Sequence, residues 1–201
     1  DPAWSPDGTR LAFTSVVDDV ETIVVMDVDG TRQRPLSVEE NLGRTPHWLP
    51  DGTGFIYETG YVGRRVESGL YIANTSGDIR TPFADIRGSN RSPAWSRDGS
   101  VLATTADTWD LGLRSVIVVM DADGENQRIV TSNPRGPDDM PTWSPDGRRI
   151  AYVAYDTSAN NTHLDDRGGD RADILVVDLG DMSVRNLTDS RAYDGMPDWS
   201  P

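Results

Sequence analysis

The chain of 201 residues contains no cysteine and no lysine, and none of its apolar runs approaches the roughly 18 residues that a membrane-crossing helix needs. Without cysteine there is no disulfide framework, thiol nucleophile or Cys-ligated zinc. Histidine is nearly absent too: His47 and His163 lie far apart in sequence, and neither has a second histidine nearby to share a zinc ion. No Gly-x-Ser-x-Gly elbow is present, so acyl transfer by an α/β-hydrolase triad would have to reside in other sequence. All 19 cations are arginine, and 27 of the 33 acids are aspartate. That choice fits a GC-rich genome, the simpler explanation, or adaptation to concentrated salt. The resulting net charge of -14 and pI of about 4.4 would repel a phosphate backbone, which argues against a nucleic-acid partner.

What the chain has in abundance is repetition. Trp4-Ser5-Pro6-Asp7-Gly8 returns as Trp48-Leu49-Pro50-Asp51-Gly52, Trp95-Ser96-Arg97-Asp98-Gly99 and Trp143-Ser144-Pro145-Asp146-Gly147, and begins again at Trp199-Ser200-Pro201. The tryptophans stand 44, 47, 48 and 56 residues apart, the period of a solenoid or propeller. Repeat units of 1–42, 43–89, 90–137 and 138–193, with the start of a fifth over 194–201, form one repeat region. Because the chain opens at Asp1 rather than methionine and stops within a motif, it reads as a segment of something longer.

Each unit carries four short runs of β-branched and aromatic residues bounded by Gly, Pro and Asp, the pattern of strands. One ends at the tryptophan. A second follows the Pro-Asp-Gly turn, as in Leu11-Ala12-Phe13 and Ile150-Ala151-Tyr152. A third includes Ile23-Val24-Val25-Met26 and Val116-Ile117-Val118-Val119-Met120, and the fourth carries Arg34, Arg80, Arg128 or Arg185. Proline presets the first corner of the turn, aspartate bonds its own backbone, and glycine takes the positive φ. The expected fold is all-β: four four-stranded antiparallel meanders stacked as β-propeller blades, with Trp4, Trp48, Trp95, Trp143 and Trp199 as wedges between blades. An open row of blades would expose its end faces, so further blades or self-association are expected to cover them.

The string Pro-x-Trp-Ser-Pro-Asp-Gly, an Ile-Ala-Phe-like strand, Met-Asp-x-Asp-Gly and an Arg-x-Leu-Thr-like strand resembles the WD40-like propeller repeat of the TolB family, over nearly the whole chain. Similar repeats occur in prolyl oligopeptidase propellers. The resemblance implies a ring of about six blades, a periplasmic or extracellular setting, a protein or peptide partner received at the channel mouth, and no direct membrane insertion. Trp109-Asp110 lacks the Gly-His partner and spacing of a true WD repeat and reads as loop sequence.

In such a meander the one–two and three–four turns share one end of the sheet. The two–three loops and blade connections share the other, and there the units differ: Val16 to Glu21, Gly60 to Gly69, Asp107 to Arg114 and Asp156 to Asp173 are the expected two–three loops. Long loops on a rigid scaffold commonly carry function. Gly43, Asn90, Asp138 and Asp194 precede the strand-one proline by three residues, beside Arg44, Arg91 and Asp139. We nominate Arg44, Asn90, Arg91, Asp138, Asp139 and Asp194 as channel-mouth binding residues; loop-capping hydrogen bonds would explain them equally well. In the fourth loop Asp156, Asp165, Asp166, Asp170 and Asp173 supply hard oxygen donors for a Ca²⁺, although their spacing matches no defined calcium motif and a solvated polar loop accounts for them too. Asp27 with Asp29, and Asp121 with Asp123, resemble part of an EF-hand but sit where hairpin geometry requires Asp-Gly. No other cofactor is expected. The expected function is a non-catalytic binding scaffold; the alternative is a substrate-gating propeller of a prolyl-oligopeptidase-type serine peptidase.

Overall fold

Short alternating runs punctuated by Asp-Gly turns become four four-stranded antiparallel sheets, each a simple meander in which every strand pairs with the next in sequence. The computed structural model describes residues 2–17, 20–36, 43–59, 69–77, 80–83, 90–108, 114–157, 171–190 and 192–200. Sheet I comprises β1 (Ala3–Trp4), β2 (Arg10–Val17), β3 (Val20–Asp27) and β4 (Arg34–Pro35). Sheet II comprises β5 (Gly43–Trp48), β6 (Gly54–Thr59), β7 (Leu70–Asn74) and β8 (Arg80–Pro82). Sheet III comprises β9 (Asn90–Trp95), β10 (Val101–Asp107), β11 (Ser115–Asp121) and β12 (Arg128–Ile129). Sheet IV comprises β13 (Asp138–Trp143), β14 (Arg149–Asp156), β15 (Arg171–Asp178) and β16 (Val184–Asn186). The chain forms two compact units, 1–93 and 94–201. Among the described residues no helix is long and apolar enough to cross a membrane.

The turn after each tryptophan is closed by its aspartate. In the first, the Asp7 carboxylate accepts from the Ser5 and Thr9 hydroxyls at 2.6 and 2.8 Å and from the Thr9 amide at 3.0 Å, while Gly8 adopts a φ of 70°. Asp98 repeats the arrangement in full, Asp51 keeps the bonds from Thr53 alone, and Asp146 keeps those from the Ser144 hydroxyl and the Arg148 amide. These bonds favour the charged form, so Asp7 is held down at about 2 and the other three lie below the usual carboxylate value, each led by the hydrogen bond of a turn partner. In the three–four turn, Asp29 accepts from the Thr31 amide and hydroxyl. Glycine is required there as well, Gly30 standing at a φ of 82°.

Successive sheets of a unit bury their apolar faces against each other. In the first unit Ala12, Ile23, Val25 and Leu36 pack with Trp48, Phe55, Tyr57 and Ala73. In the second, Ala103, Ile117, Val119 and Val130 pack with Trp143, Ile150, Tyr152 and Val177. The indoles are the joints. Trp48 Nε1 donates to the Ala3 carbonyl at 3.0 Å, Trp143 Nε1 to the Ala94 carbonyl at 3.0 Å and Trp199 Nε1 to the Thr142 carbonyl at 3.1 Å. Each acceptor is the residue just before the preceding tryptophan, so every one of these rings spans to the sheet behind it with its polar edge satisfied. Arg10 and Arg149 add guanidinium groups 4.7 and 5.3 Å from the ring centroids of Trp48 and Trp199. Trp95 is half-buried. Trp4 departs from the wedge expectation: with no preceding sheet in this sequence to lean on, it is 58% exposed.

The expected loops are also shorter than read. Val17 pairs with Val20, so β2 and β3 continue through Val16 and Glu21 almost to the turn. Asp156 pairs with Arg171 and Asp173 with Ala154, which places all three outside the fourth loop and on its flanking strands. Alternating residues continue to find cross-strand partners on these long hairpins, and pairing runs on past the apolar stretch that defines them in sequence.

Candidate binding surface at the start of strand one

Four of the tryptophans, Trp48, Trp95, Trp143 and Trp199, are approached through a left-handed residue. The residue before the proline, Thr45, Ser92, Met140 or Met196, has a φ of 45, 52, 55 or 57°. None is glycine, and left-handed backbone is uncommon for such side chains. In sheets II and IV the ladder slips here, between Arg44 and His47 and between Asp139 and Thr142. For two of them, strand two of the sheet before supplies an acceptor for the amide of the left-handed residue. The Thr45 amide donates to Thr14 Oγ1 at 3.1 Å, and in the same unit the Ser92 amide donates to Glu58 Oε1 at 2.6 Å. In the second unit Asp139 mediates: its Oδ1 accepts from the Met140 amide and from the Thr105 hydroxyl, both at 2.8 Å. Thr14, Glu58 and Thr105 occupy one position of the repeat, ten residues past the tryptophan; the fourth copy has Val153 there.

The nominated residues stand around these bulges but differ in accessibility. Arg44 is exposed and pairs with Glu21 of sheet I, and Arg91 and Asp139 are half-buried. Asn90 is buried. Asp194 is half-buried beside sheet IV, where its amide donates to the Ala172 carbonyl at 2.9 Å.

Asp138 is fully enclosed, and neither carboxylate oxygen has a hydrogen bond of good geometry among the described residues. The roof is the segment from Thr131 to Pro137, which folds over the end of β14: the Tyr155 amide donates to the Pro137 carbonyl at 2.9 Å, and the Asn133 side-chain amide donates to the Tyr155 carbonyl at 2.9 Å. Gly136 permits the closeness, since a Cβ there would lie 2.3 Å from the Tyr155 oxygen. Burial pushes the Asp138 carboxyl up to about 6, against the pull of the nearby Thr131 hydroxyl and Asn133 amide. Burial raises the Tyr152 phenol also, with the Asp138 charge adding to it. In the other unit desolvation lowers His47 to about 4, so its imidazole is neutral near pH 7.

The calcium donors are divided. Asp165, Asp166 and Asp170 lie outside the described residues, as do His163 and Trp109. Asp156 lies 3.7 Å from Arg135, and Asp173 accepts from Asn186 Nδ2 and the Ser190 amide at 2.9 Å while Arg171 approaches to 3.4 Å. Protein donors thus face both described carboxylates. No group of three or more metal-ligating side chains occurs among the described residues.

What sequence reading missed is the bulge. Its one signal is the residue before proline, and that signal points away from helical conformations rather than toward a left-handed one.

No family model matches the chain. It is 32% identical over 146 residues to the Tol-Pal system protein TolB of Bordetella pertussis, covering 73% of this chain and 32% of that protein. It is 26% identical over 185 residues to the uncharacterized peptidase YuxL of Bacillus subtilis, covering 78% of this chain and 27% of that protein. The structure of putative TolB from Agrobacterium tumefaciens superposes with a TM-score of 0.72 at 24% identity, covering 92% of this chain and 63% of that one. The chain spans between 27% and 53% of the length of the first curated relatives it matches.

Proposed function

With all-β blades of the TolB-type β-propeller fold as the premise, we propose that this chain is a non-catalytic scaffold that binds a protein or peptide segment where the first strands begin and on the adjoining loop face. Of the nominated residues, Arg44, Arg91, Asp139 and Asp194 would meet the partner, while the buried Asn90 and Asp138 would shape the surface from beneath. The observation that carries the reading is the repeated left-handed bulge. A strained, non-glycine backbone re-aims the charged side chains just ahead of it, and such irregularities concentrate at functional sites. The likeness to a Tol-Pal system protein supports a protein partner and a periplasmic setting.

The test is selection of a random linear peptide library on the chain, followed by substitution. Arg44→Ala, Arg91→Ala and Asp139→Ala together should weaken the selected peptides by about ten-fold or more. Peptides indifferent to all three changes, in a variant that remains folded at the assay temperature, would remove this surface from the reading.

A second reading rests on the likeness to a peptidase over 78% of the chain: the same blades would gate access to a serine peptidase site located elsewhere in a longer protein. Labelling of the full-length protein by a fluorophosphonate probe supports it; a gene without a nucleophile elbow excludes it.

A further inference from the structure

At the opposite end of the sheets, among the tight turns, the second unit has an open groove of about 620 Å³ between sheets III and IV. Its walls are the turns at Asp98, Asp146–Arg148 and Asp178–Gly180; Val101 and Trp143 supply apolar surface and Arg128 a cation.

The first unit shows how the same seam looks when it is shut. There the guanidinium of Arg10 lies over Trp48, and Arg34 bridges from sheet I to the Thr75 carbonyl of sheet II at 2.5 Å. In sheet III the place of Arg10 is taken by Val101: Arg10 pairs with Asp27, and Val101 with Asp121. Val101 brings no guanidinium to Trp143, which keeps 9% of its surface exposed against 5% for Trp48. The counterpart of Arg34 is Arg128, since Arg34 pairs with Val25 and Arg128 with Val119. Unlike Arg34, Arg128 makes no side-chain hydrogen bond or ion pair among the described residues.

A third departure lies on the facing wall. After the Asp-Gly of the turn the other repeats have Thr9, Thr53 and Ser100, whose hydroxyls bond the turn aspartate at 2.8, 2.7 and 2.8 Å. The fourth has Arg148, which offers Asp146 a backbone bond at 3.1 Å and no hydroxyl, and which lines the groove. Arg128 and Arg148 therefore line the same groove as the small exposed edge of Trp143, in a seam that differs from that of the first unit in three places.

We propose that this groove docks a peptide segment of a partner protein that carries a single carboxylate beside an apolar side chain. The carboxylate sits between Arg128 and Arg148, and the apolar side chain lies against Trp143 and Val101. Guanidinium forks match a carboxylate in shape and charge. Asp98, Asp146 and Asp178 on the walls outnumber the two arginines, and the whole chain carries -14, so a monoanion is accepted where a phosphate dianion or a polyanion is repelled. This inference is independent of the strand-one surface, which lies at the other end of the sheets.

The experiment is a peptide selection on the full chain, counter-selected on the variant Val101→Arg/Arg148→Thr, which installs the residue types that the first repeat has at these positions. The expected peptides share an aspartate, glutamate or free C-terminal carboxylate next to an aliphatic or aromatic residue. Amidating that carboxylate, or making Arg128→Gln, should weaken binding by about ten-fold or more. The double variant should lose binding with its unfolding midpoint unchanged or raised. The triple change at Arg44, Arg91 and Asp139 should leave these peptides bound. The proposal is overturned if no peptide is enriched, if the enriched peptides need no carboxylate, or if Arg128→Gln leaves affinity unchanged. It is also overturned if inorganic phosphate or phosphatidylglycerol vesicles bind the groove in preference to the peptides.

Discussion

A carboxylate withdrawn from water with too few donors around it favours its neutral form, and Asp138 is in that condition at about 6 against an ordinary 3.8. Its pKa is raised on folding, so its contribution to stability is complete below about pH 4 and is lost as pH rises through 6. A displacement of that size corresponds to roughly 3 kcal/mol. Asp138→Asn keeps the shape and removes the charge. It should be more stable than the parent at pH 7 by up to that amount and nearly equal at pH 4, as urea unfolding at the two pH values would show. An Asn variant less stable at pH 7 would mean that the ionised carboxylate is bonded after all. His47 acts in the opposite sense: desolvation lowers it to about 4, so stability is lost as pH falls from 6.5 toward 4. The sequence placed Asp138 at the start of strand one correctly, but its burial comes from the Thr131–Pro137 roof, a tertiary feature that no local pattern encodes.

The elements divide into those whose chemistry is local and those whose chemistry is not. The Pro-Asp-Gly turns and the short strands were legible because proline, aspartate and glycine act within five residues, and the wedge role of Trp48, Trp143 and Trp199 followed from their period, though not the carbonyls they bond. Strand lengths were less legible, since polar residues such as Thr22 and Asp156 extend the hairpins as well as apolar ones. The bulge of β13 was illegible because Met140 has no special tendency toward positive φ. Its anchor is the Asp139 carboxylate, held by the Thr105 hydroxyl of β10 and the Met140 amide. Thr105→Val removes one of those two bonds at constant shape and should cost about 1 to 3 kcal/mol, because the buried hydroxyl bonds a charged group. Met140→Gly should go the other way, relieving the left-handed strain by about 1 kcal/mol. Denaturant midpoints of the two variants read the pair directly, and a stabilised Thr105→Val would show that the latch is idle.

On the scale of the whole chain, 14 unbalanced negative charges repel one another while a few surface ion pairs attract. Pairs such as Arg149 with Asp146 at 3.7 Å and Arg171 with Asp189 at 3.0 Å are exposed, and pairs of that kind contribute about 0 to 1 kcal/mol each. Salt screens both effects, so the sign of the response tells which is larger. The excess of acid over base is spread over turns and loops throughout the sequence, whereas the attractive pairs are few among the described residues; the repulsion should dominate. Raising NaCl from about 0.05 M to about 1 M, where the screening length falls from beyond 10 Å to about 3 Å, should therefore raise the unfolding midpoint. Peptide binding in the groove should respond inversely, because there the useful contact is an attraction between Arg128, Arg148 and a carboxylate. One titration series followed by thermal unfolding and by peptide affinity separates the two. A midpoint that falls with salt would mean that the ion pairs outweigh the net charge, and an affinity that does not fall would mean that the groove is held by Trp143 and Val101 alone.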